Sequence, residues 1–425
     1  MSTSGRLHPA WGVAAATFLT SIGAAGFRAA PGVLMTPLNH EFGWPMALMG
    51  SAVSINLLLY GLAAPFSAAL MQRFGVRRVA LVALLLIALG ATLPIWMTEP
   101  WQLLVCWGLL IGAGTGALSM SFIAVVTGRW FEAKRGVVTG VLTAAAATGQ
   151  LVFLPAMAWL ETEHGWRAAT LVTGAACLLV VPIVAIFLRD SPASIGTTPY
   201  GAPTDAVPTF PPLTPAPVRT ALTTLRDAAK TPVFWLLAGS FAICGMSTNG
   251  LVGTHFIPAA HDHGMPSTTA AGLLALVGIF DVAGTIASGW LTDRVDPRWL
   301  LGFYYAGRGL SLALLPSLFT DNVQPSMVVF VLFYGLDWVA TVPPTIALCR
   351  TAFGSAQGPI VFGWVFASHQ IGAAIAASAA GAVRDNLGSY TLAFYVAAGL
   401  CALATWMCLA IKRGRPTHVE PVLMS

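Results

Sequence analysis

Four charged side chains, Arg28, Asp281, Arg308 and Asp337, stand near the middles of long apolar stretches in a 425-residue chain whose charged content is only 9%. A charge at bilayer depth costs roughly 2.5–3.5 kcal/mol even on lenient insertion scales. It therefore faces a partner or a watery cavity and marks a path for a substrate or for protons. A guanidinium stays protonated under all physiological conditions and can hold a carboxylate through two parallel hydrogen bonds. A carboxyl at the same depth can take up and release a proton as it meets water on alternate sides. Arg28 is followed, after Ala29 and Ala30, by Pro31-Gly32, which frees backbone groups and permits a bend. Arg308 in FYYAGRGLSLALLP and Asp337 in FYGLDWVATVPP lie at depths similar to Asp281. One cation between two acids makes a net negative triad that can share a proton, and we expect Arg308 to pair with Asp337 or Asp281.

Neutral polar residues at similar depth extend the candidate site: Asn56, Tyr60, Gln150, Asn249, Tyr334, Trp338, and His369 beside Gln370. Each also suits an interhelical hydrogen bond. His369 is distinguished by titrating near neutrality. Other patterns carry less. Gly112-x-Gly114-x-Gly116 follows no strand and reads as helix packing; His261-Asp262-His263 has no fourth metal ligand. No nucleophile–base constellation is present, so neither an enzyme, a cofactor nor a metal is expected. The six cysteines have no metal spacing and read as packing residues.

The elements that must position these groups are apolar spans. Hydrophobic residues make up 56% of the chain and its mean hydropathy is +0.77, far from the composition of a soluble domain with about 25% charged residues. Windows long enough to cross about 30 Å of hydrocarbon recur at 11–35, 46–70, 79–97, 101–126, 136–159 and 167–188. They recur again at 233–257, 268–291, 298–319, 325–348, 358–383 and 390–411. We expect an all-α polytopic membrane protein of twelve spans, with residues 1–188 and 233–425 as two six-helix halves joined by a linker, 189–232, rich in Pro, Thr and Ala. The small-residue stretch after Trp11 invites a signal-peptide reading, but cleavage there would leave an odd number of spans. Lys and Arg crowd the loops on one side, with only Arg167 and Arg384 on the other. That asymmetry places both termini in the cytoplasm and disfavours nucleic acid as a partner of this basic chain.

Each half repeats one loop. After the second span comes Gln72-Arg73-x-Gly75-x-Arg77-Arg78, and after the eighth comes Gly289-x-x-x-Asp293-Arg294-x-Asp296-x-Arg298. A small residue permits close helix approach, and an acid can cap the next helix N-terminus. On these residues the chain resembles the major facilitator superfamily, whose loop between spans two and three reads G-x-x-x-D-R-x-G-R-R; Gln72 stands where that family has Asp. The resemblance covers residues 10–412 and implies two halves that rock about a central site, giving alternating access. The junction GRWFEAKRGVVTGVLTAAAATG, residues 128–149, is similar to the monocarboxylate porter branch, with its aromatic pair, basic residues and small-residue helix.

The resemblance implies roles. Arg28 falls within about one position of the cation that binds the substrate carboxylate in the first span of monocarboxylate transporters. Asp281 matches the proton-coupling Asp of the eighth span; the Arg that often follows four residues later is here Thr285. We expect an inner-membrane carrier, functional as a monomer in a lipid bilayer, that moves a small carboxylate with a proton. Arg28 would bind the anion, and Asp281, Arg308 and Asp337 would couple it. An anion exchanger or proton-driven exporter would use the same cavity. The alternative outside transport is a receptor with a carrier fold, which would bind without moving labelled substrate into liposomes.

Overall fold

The computed structural model describes residues 7–412 apart from 45, 204 and 209–215; the side chains of 27–32, 36, 46, 47, 150, 154 and 267 are also outside the described set. The first half holds α1 (Pro9–Phe42), α2 (Met46–Phe74), α3 (Val76–Thr92), α4 (Pro100–Trp130), α5 (Arg135–His164) and α6 (Trp166–Phe187). The second holds α7 (Pro232–Asp262), α8 (Ser267–Thr292) and α9 (Pro297–Leu318). The run Pro325–Leu387 then covers two crossings, α10 (325–353) and α11 (355–387), separated at Gly354 with φ +80°, before α12 (Thr391–Ala410). Proline opens α1, α4, α7, α9 and α10, where its missing N–H has no helical partner to lose.

Large apolar side chains such as Phe303, Leu179 and Trp406 point outward, as a surface solvated by hydrocarbon requires. The halves meet through small residues. At Gly140 of α5 an added Cβ would lie 2.6 Å from the Thr285 carbonyl of α8, and at Gly363 of α11 it would lie 2.6 Å from the Pro65 backbone of α2. These two seams bring the halves together at the end of the molecule that carries the linker.

The linker is more ordered than its composition suggests. Tyr200 pairs with Phe131 in a lone parallel bridge, and its carbonyl accepts from the N–H groups of Glu132 and Ala133 at 2.9 and 3.1 Å. Its ring lies 5.4 Å from Trp11 and 5.6 Å from His8. A short helix, Pro217–Ala228, then lies against α2 and α11, with Trp364 donating to the Ala221 carbonyl at 3.0 Å. Aromatic contacts thus hold a segment that has no core of its own.

Candidate functional site

The site is built around a broken turn in α10. Residues 338–341 leave the helical ladder, which deprives carbonyls at bilayer depth of their intrahelical donors. Neighbouring helices supply the donors. Arg308 of α9 donates through Nη2 to the carbonyls of Asp337 at 2.6 Å and Trp338 at 3.3 Å. Ser288 of α8 donates to the Ala340 carbonyl at 2.5 Å. In return the freed Val339 N–H donates to Asp281 Oδ1 at 2.9 Å. Glycines let α8 and α10 come this close: a Cβ on Gly335 would lie 2.8 Å from the Val277 carbonyl.

Arg308 also donates through Nε to Asp337 Oδ2 at 2.6 Å, and through Nη1 to Cys244 Sγ at 3.0 Å and Ser247 Oγ at 3.4 Å. All five guanidinium N–H groups therefore have acceptors, and the side chain is fully buried. Of the two expected pairings, the ion pair is with Asp337. Asp281 is instead held by the Val339 N–H and by Thr285 Oγ1, which donates to Oδ1 at 2.8 Å from the position where the resemblance leads one to look for an arginine. Asp337 Oδ1 is buried with no hydrogen-bond partner among the described residues.

Asp281 forms part of the wall of a cavity of about 610 Å³ between the halves. The volume suits a small organic ligand. The cavity runs from the level of Asp281 away from the linker end, past Leu151, Ile257 and Ala271. Tyr60, Asn249, Trp338, His369 and Gln370 line it as well. Two polar atoms of its lining residues, Thr143 Oγ1 from α5 and His369 Nδ1 from α11, are buried with no protein hydrogen-bond partner among the described residues. Phe366 stacks on the His369 ring at 6.0 Å and meets Tyr60 edge-on at 5.3 Å, which orients both.

Other candidates lie elsewhere. Asn56 donates to the Trp107 carbonyl at 2.7 Å and ties α2 to α4. Tyr334 donates to the Ser247 carbonyl at 2.7 Å, behind the cavity wall, where α7 widens into a looser turn over residues 246–252. The side chains of Arg28 and Gln150 lie outside the described residues. Sequence reasoning misses Thr143 and Ser247, gives Cys244 only a packing role, and notes Thr285 only as standing where an arginine is looked for. Their only signal was a hydroxyl or thiol in an apolar span, which packing residues share.

The Major Facilitator Superfamily model matches residues 16–284 and again 246–423. The chain belongs to this superfamily. It is similar to monocarboxylate transporter 13 of Rattus norvegicus, with 26% identity covering 96% of this chain and 92% of that one. It is similar to the uncharacterized MFS-type transporter YcxA of Bacillus subtilis (strain 168), with 25% identity covering 92% of each. Among solved structures, the proton:xylose symporter XylE superposes with a TM-score of 0.71 at 14% identity, covering 94% of this chain and 95% of that one. The chain is thus a multi-pass membrane transporter of the twelve-helix fold, related to monocarboxylate transporters, and not an enzyme.

The superfamily's loop motif is present twice, in two forms. Of the two acids in the second loop, Asp293 does not cap the helix that follows. Its oxygens accept from Gly136 N at 2.7 Å and Val137 N at 3.0 Å, the first turn of α5 in the other half. The helix that follows Asp293, α9, is capped by Asp296, whose Oδ1 accepts from Arg298 N at 3.1 Å. Arg294 lies over the Trp290 ring at 4.1 Å, beyond the tight seam at Gly289. In the first loop Gln72 donates to the Ala356 carbonyl at 2.5 Å, and Arg73 is exposed. Arg77 N donates to Asp190 Oδ1 at 2.9 Å, and Gly75, at φ +89°, leaves room for that carboxylate, which a Cβ would overlap.

Proposed function

We propose that this transporter carries a small monocarboxylate together with a proton by alternating access. The observation that carries the reading is the double attachment of Asp281. It lines the cavity, and it also holds the broken turn of α10 that binds Arg308 and Asp337. Two carboxyls and one guanidinium reach charge balance when one carboxyl holds a proton, and the titration belongs to the group. Filling or emptying that proton site changes the hydrogen bonding of the α10 turn, and α10 spans the half that must rock. Relatives named as monocarboxylate transporters, matched over nearly their full length, support the cargo class.

The Lys and Arg asymmetry assigns the linker end to the cytoplasm, so the described state presents its cavity to the outside. Arg28 on α1 supplies the cation for the carboxylate. Thr143 and His369 supply the hydrogen bonds that discriminate among acids.

Asp281→Asn tests the reading in proteoliposomes. A neutral amide imitates the loaded carboxyl, so the carrier still binds anion and reorients when loaded but cannot release the proton and return empty. Uptake driven by a pH gradient should vanish while exchange of labelled for unlabelled substrate persists. Retained pH-driven uptake would exclude Asp281 as the proton site, and loss of both activities in folded protein would make it a structural residue.

A further inference from the structure

A second cavity, of about 420 Å³, lies at the linker end, walled by α4 and α5 of one half and by α8, α10 and α11 of the other. It contains two arginines from opposite halves, Arg135 and Arg350, within electrostatic reach of one another. Each is pinned by a single bond to the end of α4: Arg135 Nε to the Phe131 carbonyl at 2.6 Å, and Arg350 Nη1 to the Gly128 carbonyl at 2.7 Å. Neither has a carboxylate within ion-pair distance among the described residues. Two acids line the same cavity: Asp293, within electrostatic reach of Arg135, already accepts from the α5 backbone, and Glu132, within electrostatic reach of both arginines, is exposed and makes no ion pair with either. The hydroxyls of Thr127, Thr139, Thr292 and Thr351 donate to carbonyls of their own helices, so the donors left to the cavity are chiefly the guanidiniums.

Two like charges across a seam oppose its closure in proportion to how little negative charge stands between them; water screens the exposed Glu132, the Asp293 oxygens are taken by backbone N–H groups, and the guanidinium donors are left for a bridging anion. We propose that this cavity is a binding site for a small oxyanion, carboxylate or phosphate, which bridges Arg135 and Arg350 and so stabilises the state in which the linker end is shut. A planar guanidinium on each side matches the paired oxygens of either group. The site is distinct from the central cavity: it lies beyond the Gly140–Thr285 seam and shares no lining residue with it. An oxyanion on the linker side would thereby slow the return of the carrier, and this holds whatever the cargo of the central cavity.

The test uses the purified full chain, with thermal unfolding and calorimetric titration against sodium phosphate and sodium acetate, each compared with sodium chloride at matched ionic strength. The expected result is a saturable rise in Tm over chloride, with at least a tenfold loss of affinity in Arg350→Gln and Arg135→Gln. Arg350→Lys keeps the charge without the planar fork and should weaken binding several-fold; it serves if the Gln variants do not fold. A rise with phosphate alone identifies a soluble phosphate as the occupant. A rise with acetate that these variants abolish identifies a departing carboxylate. No rise over chloride with either anion, or an equal rise in wild type and variants, would overturn the proposal.

Discussion

The two halves share a fold and a loop motif but not a distribution of charge. The second half buries an arginine and two aspartates around the α10 turn and closes on the first half with a carboxylate, Asp293. Among the described residues the first half answers at the corresponding places with neutral groups, Thr143 and Tyr60 at the central cavity and the Gln72 amide at its loop motif, while its seam charge is a cation, Arg135. A carboxylate on the positive end of α5 makes two charge-assisted bonds, whereas the amide makes a neutral bond to the Ala356 carbonyl near the start of α11. The acid missing from the first loop has a counterpart in Asp190 at the start of the linker, but that residue caps α3 inside its own half. At the seam the second half thus brings charge, Asp293 and Arg350, to backbone groups of the first, whereas Gln72 of the first half brings a neutral amide to the second, and the carboxyls proposed to carry the proton sit in the second half.

The strongest way to break this contrast is to remove the buried cation. Arg308→Leu leaves Asp337 buried and uncompensated, a loss of about 3–5 kcal/mol for a broken buried pair. Replacing both residues, Arg308→Leu with Asp337→Leu, should cost less than either single change, although the α10 carbonyls then lose their donor. Thermal denaturation of the three variants checks this, and additive losses would show that the pair is not coupled.

A smaller effect belongs to the Asp293 latch. Asp293→Asn removes a carboxylate from a helix N-terminus, worth about 1 kcal/mol, so the amides of Gly136 and Val137 should exchange with solvent roughly fivefold faster. Gln72→Asp sharpens the comparison from the other side. It restores the superfamily's acid, and exchange at the first amides of α11 should slow if the carboxylate turns to them as Asp293 does to α5. Hydrogen–deuterium exchange read at both seams gives the answer, and unchanged rates at Gly136 and Val137 would remove the latch from the account.

The least effect is expected at the end opposite the linker, where the halves are alike. Glu41 pairs with Arg167 at 2.5 Å, and Asp262 with Arg384 at 2.8 Å. A hydrogen bond from each arginine holds each carboxyl below its ordinary range. Because the folded value lies below the unfolded one, this stability is present above the unfolded value and is lost as pH falls through the folded value. Partial exposure screens both pairs, leaving less than about 1 kcal/mol each. Glu41→Gln and Asp262→Asn should each lower Tm slightly at pH 7 and leave it equal to wild type below about pH 3, where wild type has lost the pair too. A difference that persists at that pH would mean the carboxylates do something other than pair.

The spans, the two halves and the buried ionic residues were legible in the chain because their signals are expensive. A charge within an apolar window costs several kcal/mol, and a run of twenty apolar residues has few uses outside a bilayer. By the same logic Arg308 could be expected to find an acid. What could not be read was which acid, since Asp281 and Asp337 lie at one depth and only the break at residues 338–341 turns the Asp337 carbonyl and carboxylate together toward Arg308. Asn56 and Tyr334 looked like Tyr60 and Asn249 because any polar side chain in a helix can serve a neighbouring backbone or a ligand. Its rotation about the helix axis decides which, and packing sets that rotation. The linker's order likewise depended on an aromatic cluster assembled from His8, Trp11, Phe131 and Tyr200, residues far apart in sequence.

By itself, the sequence determined that this chain spans a membrane, that it is a carrier with a repeated loop motif, and that three of its four mid-span charges lie in the second half, because each of these rests on local composition and depth. Only the tertiary structure decided that Asp281 faces a cavity while Arg308 does not, and that Asp293 reaches across to the other half. The physical reason is that burial, hydrogen-bond completion and close approach at glycine are properties of helix pairs, and no single segment contains them.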